Sequence, residues 1–218
     1  MSVTRESVQQ LLNSEDYGQR LRGVNQLRQL KPAVAFELVQ VVLQDPNTRV
    51  RYAAASQMDT LGTQDLQLSL QLLRQCLSDS EPDVQAAAAD ALGALKLTEA
   101  FEELEQLYRQ TPEWLVQFSI IATLGELGDP RSFSLLEEAL NSDTELVKTA
   151  AISALGELGD TRAVALLIPF AESSDWQVRY RVVQALHQLG GNEARSTLEL
   201  LANDSFEQVA KEAQANLQ

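Results

Sequence analysis

The chain has 218 residues, a formal net charge of −14, one cysteine and one histidine. Its 31 acidic and 17 basic side chains disfavour binding to nucleic acids and to anionic membrane surfaces, since such binding comes mainly from lysine and arginine contacts to phosphate. The single cysteine, Cys76, excludes an internal disulfide, and with one histidine beside it no metal site is indicated.

No apolar run approaches the roughly 18 residues that span a membrane, so we expect no membrane insertion. The first residues, MSVTRESVQQLL, lack the charged and apolar regions of a signal peptide. Together with the single cysteine, these features lead us to expect a cytoplasmic protein.

Short amphipathic helices are predicted along the whole chain. The first lies at Thr4–Leu12 and the second at about Asp16–Leu30, where Lys31 and a following proline end it. Pairs of the same kind follow. Their first helices are predicted near Ala33–Leu43, Asp65–Leu77, Thr98–Arg109, Pro130–Leu140, Arg162–Ala171 and Glu193–Ala202. Their second helices are predicted near Asn47–Leu61, Pro82–Leu95, Pro112–Leu127, Thr144–Leu158, Asp175–Leu189 and Ser205–Leu217. Pro169 lies inside a predicted helix and is expected to kink it.

The second helices repeat one apolar pattern. In Val147–Leu158 the apolar and small residues are spaced as one stripe of an α-helix. The position of Val147, called the anchor below, recurs every 31 to 34 residues. The anchors are Gln19, Val50, Val84, Val116, Val147, Val178 and Val209. A fixed period of this size predicts a solenoid, in which each unit is stable only against its neighbours. We therefore predict one domain over residues 1–218, an all-α, right-handed α-solenoid of seven helix pairs.

Turn residues support these boundaries. Gly159 suits the left-handed conformation that ends a helix, and Asp160 suits the N-cap of the next one. Thr111 and Asp129 each precede a proline, which is favoured in a first helical turn. Gln214 replaces the apolar residue found five positions after the other anchors, as expected for the exposed side of a terminal repeat.

The pattern V-(R/K/Q)-x-x-A-A-x-x-A-L-G-x-L-G-D, carried by Val147–Asp160, Val116–Asp129 and Val178–Gly191, resembles the HEAT-like repeat of the phycobilisome lyase family. The longer segments Ala86–Ala100 and Trp114–Pro130 resemble the cyanobacterial members that act in phycobilisome degradation and are homologous to E/F-type bilin lyases. The resemblance implies a cytosolic protein that binds phycobiliprotein subunits, with other phycobilisome-degradation proteins as further partners. It implies no permanently bound cofactor, and a linear tetrapyrrole, phycocyanobilin, as the ligand.

The resemblance also implies that the second helices line a concave groove. Aromatic side chains occur there at positions that the apolar stripe does not need: Tyr17, Tyr52, Trp114, Phe118, Trp176 and Tyr180. Charged side chains lie between them: Arg22, Arg49, Arg181, Glu126 and Glu157. Aromatic rings could stack on a bilin, arginines could bind its propionates, and a carboxylate could accept its pyrrole N–H groups. The alternative is that the aromatic rings only seal gaps between adjacent helices.

Three functions remain open at this point. The chain could assist detachment of the linear tetrapyrrole, act as a non-catalytic adaptor for phycobiliproteins, or be one subunit of a lyase that attaches phycocyanobilin. Catalytic residues are not identified. We interpret Cys76 as a buried core thiol rather than a thiol in bilin transfer, and His187 as structural rather than catalytic. The residues one position after an anchor, Arg20, Arg51, Lys148 and Arg179, are interpreted as part of the scaffold.

Overall fold

The computed structural model describes residues 3–217, and every regular element in this range is a helix. The α-helices α1 to α14 are Arg5–Leu12, Tyr17–Gln26, Pro32–Val42, Thr48–Leu61, Leu66–Leu77, Pro82–Ala94, Phe101–Gln110, Trp114–Leu127, Phe133–Ala139, Glu145–Leu158, Ala163–Leu167, Trp176–Leu189, Asn192–Leu201 and Glu207–Ala215. Short 3₁₀ turns lie at Leu27–Gln29, Gly62–Gln64, Thr98–Ala100, Pro130–Ser132 and Ile168–Glu172.

The first compact unit covers residues 1–120. Within it, α1 packs on α2, α3 on α4, and α5 on α6, so each odd-numbered helix pairs with the next helix along the chain. The second helices of the pairs, α2, α4 and α6, pack side by side in chain order. The first helices follow on the other side, where α1 contacts α3 and α5 contacts α7. The result is two layers of helices.

The second compact unit covers residues 121–218 and repeats this plan. Helix α9 packs on α10, α11 on α12, and α13 on α14. The second helices α10, α12 and α14 are again neighbours in chain order. The predicted all-α fold of paired, stacked helices is therefore confirmed, while the prediction of one domain over residues 1–218 stays a prediction.

The apolar stripe of the second helices forms the core. Five positions after the first six anchors, all side chains are fully buried: Val24, Ala55, Ala89, Ile121, Ile152 and Val183. In the last repeat this position is Gln214, which is exposed and donates a hydrogen bond to the Ala202 carbonyl at 2.8 Å. Since no repeat packs beyond it within the described residues, a polar side chain costs no core contact there.

One turn geometry recurs in all seven repeats. Five positions before each anchor, a short polar side chain accepts a hydrogen bond from the backbone N–H two residues later, at 2.7 to 3.2 Å. These residues are Ser14, Asp45, Asp79, Thr111, Ser142, Ser173 and Asp204. The bond shapes the turn that leads into the second helix of each pair.

Where this turn residue is aspartate, an arginine of the preceding repeat binds it. Arg20 pairs with Asp45, and Arg179 pairs with Asp204 through two parallel hydrogen bonds. These ion pairs are largely buried, and a further Nη1–H of each arginine donates to a backbone carbonyl of its own repeat. The interpretation of this row as scaffold is confirmed for the arginines. Lys148 instead pairs with Glu145 of its own helix.

Several predicted helix ends differ from the observed ones. The helices predicted to start at Thr98 and Pro130 begin with 3₁₀ turns, so α7 and α9 start three residues later. Helix α2 stops at Gln26, and the chain continues as a 3₁₀ turn that reaches Gln29. Helix α8 begins at Trp114, so the proline after Thr111 precedes the helix instead of lying in its first turn. Pro169 does not kink an α-helix. Helix α11 ends at Leu167 and a 3₁₀ segment follows, since proline cannot donate the backbone hydrogen bond that the α-helix needs.

Gly159 is confirmed as the residue that ends α10, whereas Asp160 is not the N-cap of α11: that position is Arg162, and Asp160 shapes the turn before it. Gly159 has φ of 72°, a left-handed conformation in which most side chains would be strained. Asp160 accepts a hydrogen bond from the Arg162 backbone N–H at 3.0 Å and two more from its guanidinium. The Arg162 guanidinium also lies 4.0 Å above the Phe133 ring, so the turn is tied to the preceding first helix.

Candidate functional site

The second helices of the first unit carry exposed aromatic side chains. Tyr17 at the start of α2 is 46% exposed, and both Tyr52 in α4 and Trp114 at the start of α8 are 47% exposed. Arg22 and Arg49 are exposed on α2 and α4, and neither has an ion-pair partner among residues 3–217. Half-exposed aromatic rings beside unpaired arginines are common at binding surfaces.

The corresponding aromatic side chains of α12 are engaged within the fold. The Trp176 ring stacks on Phe206, with centroids 4.3 Å apart and planes 19° from parallel. The Tyr180 hydroxyl donates to Glu212 Oε2 at 3.2 Å, and partial burial together with this carboxylate raises the pKa of Tyr180. Both rings are half-buried. In this unit the aromatic positions join the last two repeats.

The other predicted site residues are distributed along α8, α10 and α12. Phe118 is half-buried, whereas Glu126 and Glu157 are exposed. Arg181 is exposed and donates to the Gln184 side chain at 3.3 Å. The structure thus places Trp176, Tyr180 and Arg181 on one helix. The assignment of these residues to a binding groove stays a prediction.

An open pocket of about 670 Å³ lies between α2 and α4, near the C-terminal ends of both helices. Leu27, Leu30, Pro32 and Leu61 give it apolar walls, and the side of Tyr52 faces it as well. Its polar lining is Asn25, Arg28, Ser56, Gln57, Asp59, Thr60, Thr63 and Gln64. The volume is within the range of small-molecule sites, about 300–1,000 Å³. Of the predicted site residues, only Tyr52 lines this pocket.

In the second unit, glycine keeps neighbouring second helices close. Gly125 and Gly156 lie nine positions after their anchors and face Ala154 and Ala185 of the next repeat. A Cβ atom added at Gly156 would lie 2.7 Å from the Ala185 Cα atom, and one at Gly125 would lie 2.6 Å from the Ala154 Cα atom. Only a residue without a side chain fits this approach.

At the same position, nine residues after the anchor, a large residue replaces glycine in the first and sixth repeats, and each of these residues lines a pocket. In the first repeat the residue is Arg28, opposite Gln57, and both line the pocket between α2 and α4. In the sixth repeat it is His187, opposite Asn216, and both line a smaller pocket of about 300 Å³ at the end of α12. The second repeat has Asp59 at this position, and Asp59 lines the pocket between α2 and α4 as well. Our reading of the sequence missed this signal at Arg28.

Cys76 and His187 have different surroundings. Cys76 is buried in α5, and desolvation raises the pKa of its thiol to about 11, which keeps it protonated at neutral pH. This confirms the interpretation of Cys76 as a buried core thiol. His187 is exposed on the last turn of α12.

Among residues 3–217, no group of three or more potential ligand side chains is placed to hold a metal ion. No helix in the same range is long and apolar enough to cross a membrane.

The fold and its period define the class of protein. The family model for HEAT repeats matches residues 70–156 and 142–218, so the chain belongs to the HEAT repeat family. No curated protein sequence matches it significantly.

Solved structures of other proteins share the fold. The complex of CpcE and CpcF of phycocyanin lyase from Nostoc sp. PCC7120 superposes with a TM-score of 0.68 at 20% identity, over 100% of this chain and 94% of that one. The archaeal HEAT-like repeats protein from Thermococcus onnurineus NA1 gives 0.60 at 14% identity, over 99% and 96%. An engineered protein gives 0.64 at 20% identity, over 98% and 68%. At these identities the similarity establishes the fold alone.

Proposed function

We propose that this chain is a cytoplasmic, cyanobacterial protein that binds phycobiliproteins during phycobilisome breakdown and assists detachment or handling of their linear tetrapyrrole. The observation that carries the proposal is a set of exposed side chains on the second helices α2 and α4 and at their N-terminal ends: Tyr17, Arg22, Arg49 and Tyr52. The two rings are half-exposed, and the two arginines have no ion-pair partner among residues 3–217. The sequence resemblance to the phycobilisome lyase family supports phycobiliproteins as the partner.

The chemistry of this surface suits both the protein and its pigment. Tyrosine and arginine are the residue types most often found at binding hot spots, together with tryptophan. A guanidinium without an intramolecular partner can bind a carboxylate with two parallel hydrogen bonds, and phycobilins carry two propionates. The net charge of −14 disfavours an anionic polymer as the alternative partner. The fold shared with the phycocyanin lyase subunits is compatible with this assignment.

The proposal is tested by binding to phycocyanin. We expect Tyr17→Ala and Arg49→Gln each to weaken binding at least about tenfold, the effect of losing a hot-spot contact. Leu200→Ala is the matched control, because Leu200 is a 76% exposed apolar residue on α13, outside this surface. Equal binding by wild type and the Tyr17 and Arg49 variants, or no binding by wild type, would overturn the proposal.

The same mixture separates the three activities. Loss of the visible absorption band of phycocyanin after addition of the chain indicates detachment of the bilin. An unchanged band despite binding indicates an adaptor. Attachment is tested with phycocyanobilin and the apoprotein, where covalent pigment on a denaturing gel indicates a lyase subunit. The binding test with the Tyr17 and Arg49 variants applies whichever of these three activities the wild type shows.

A further inference from the structure

The pocket between α2 and α4 combines three features of a ligand site. It has a volume of about 670 Å³, an apolar wall that includes Leu27 and Leu61, and a tyrosine ring at its edge. The Leu27 side chain is fully buried and that of Leu61 nearly so, so the apolar lining that a ligand can reach is the half-buried Leu30, the exposed Pro32 and Tyr52. A tyrosine ring together with apolar side chains favours an aromatic ligand body over polar chains.

The charge in the pocket selects for an acid. Arg28 lines it, is exposed, and has no ion-pair partner among residues 3–217. An exposed guanidinium without an ion-pair partner offers several N–H donors to a carboxylate or sulfonate. Asp59 also lines the pocket, and its Oδ1 accepts hydrogen bonds from Thr60. Asp59 would repel a second anionic group and accept an N–H group, so a ligand with one acid and one N–H donor fits best.

The pocket is a local departure from the repeat. The glycine–alanine approach of the second unit leaves no such space between its helices at Gly156 and Ala185. In the first repeat the corresponding positions hold Arg28 and Gln57, and the Gln57 side chain donates to the Val24 carbonyl at 2.8 Å. The residue that stands in place of glycine is thus also the positively charged residue of the lining.

We propose that this pocket is a binding site for flat organic acids that carry an N–H group, with the apolar body beside Tyr52 and Leu30 and the acid at Arg28. Binding of phycobiliproteins is not required for the site, which would bind small aromatic acids on its own.

The test uses two fluorescent probes that differ in one group. Anilinonaphthalene sulfonate is a flat acid with an N–H group, and N-phenylnaphthylamine is its neutral counterpart without the sulfonate. We expect wild type to bind the sulfonate at one site. Arg28→Gln should weaken sulfonate binding about tenfold, the equivalent of one charge-assisted hydrogen bond, and leave the neutral probe unaffected. Tyr52→Ala should weaken both probes.

Two control variants and one double variant complete the experiment. Leu200→Ala on α13 and Lys211→Gln on α14 alter exposed residues outside the pocket, and should bind both probes as wild type does. Replacing Arg28 by glycine and Gln57 by alanine removes the guanidinium and the amide from the lining, and should weaken sulfonate binding at least as much as Arg28→Gln does while thermal unfolding stays cooperative. Unchanged probe binding in the Arg28 and Tyr52 variants overturns the site. The phycocyanin measurements are separate, so the two proposals can fail independently.

Discussion

Arg51 and Asp79 join the second repeat to the third through two parallel hydrogen bonds, Nε to Oδ2 at 2.7 Å and Nη2 to Oδ1 at 2.8 Å. The two side chains are 15% and 12% exposed, so the pair is largely withdrawn from water. The same carboxylate accepts the Glu81 backbone N–H at 3.0 Å and thereby fixes the turn before α6. One aspartate therefore supports both the fold of its own repeat and the contact with the preceding one.

Breaking this pair is expected to destabilise the fold. Removing either partner leaves a largely buried charge with unmet hydrogen bonds, so Arg51→Ala and Asp79→Ala should each lower the free energy of unfolding by about 2–3 kcal/mol. Urea unfolding of both single variants and the double variant gives the coupling energy, for which we expect about 1–2 kcal/mol. The exposed pair Lys211–Glu207, treated in the same way, serves as the control and should show almost no coupling. Equal coupling in the two pairs would contradict the structural role.

The aspartates of these pairs also predict a pH dependence. Hydrogen bonds from Arg179 hold the pKa of Asp204 below its ordinary value of 3.8, against the opposing effect of burial. A carboxyl whose pKa is lower in the folded state stabilises the fold above the pKa of the unfolded state, and this contribution is lost as the pH falls through the folded pKa. The advantage of wild type over Asp204→Asn should thus be constant from neutral pH to about 5 and shrink below about 4. Urea unfolding across this range measures it. An advantage that persists at the lowest pH would show that titration of Asp204 contributes nothing.

Replacing Gly156 by alanine is expected to have two opposing effects on stability. Alanine is favoured over glycine inside a helix by about 1 kcal/mol. The added Cβ, however, would lie 2.7 Å from the Ala185 Cα atom, and backbone of a packed helix cannot move away cheaply. Overpacking typically costs about 1–3 kcal/mol, so we expect Gly156→Ala to be destabilising overall.

Thermal unfolding of two variants tests this expectation. Gly159→Ala is the comparison, since that Cβ would meet nothing within 4 Å and only the left-handed backbone conformation opposes it. That conformation costs roughly 1–2 kcal/mol for residues other than glycine. A Gly156→Ala variant more stable than wild type would show that the helices separate without cost.

The repeats made the fold predictable, and departures from them made the site hard to predict. The stripe that begins at Val147 recurs with a fixed period, so the helix pairs and their buried face follow from helical spacing. The pocket lining includes Arg28, which stands where Gly156 stands in the fifth repeat. That difference is readable in the sequence only after the helix contacts show which residues face each other. The ion pairs are equally hard to predict from the sequence, because Arg51 and Asp79 lie 28 positions apart and meet only through the stacking of neighbouring repeats.

Trp176 provides the clearest test of binding surface against packing. From sequence, Trp114 and Trp176 occupy equivalent positions, yet in the structure only Trp176 stacks on another ring, Phe206, among residues 3–217. We expect Trp176→Ala to lower the free energy of unfolding by about 2 kcal/mol, with about 0.5–1.5 kcal/mol of that coupled to Phe206 in a double-mutant cycle. Trp114→Ala should cost less, because that ring is 47% exposed and has no ring partner in the described range.

Leu155→Ala is the reference for the free energy of unfolding that is lost when a core side chain is removed, and the two tryptophan variants are compared with it. Its side chain is fully buried, and removal should cost about 2–5 kcal/mol through loss of burial and a residual cavity. Urea unfolding of the three variants side by side, together with their binding to phycocyanin, assigns each ring. A Trp114 variant that keeps its stability and loses binding belongs to the partner surface. If Trp114→Ala is as destabilising as Leu155→Ala, that ring is part of the core, and the binding surface ends with the tyrosines of α2 and α4.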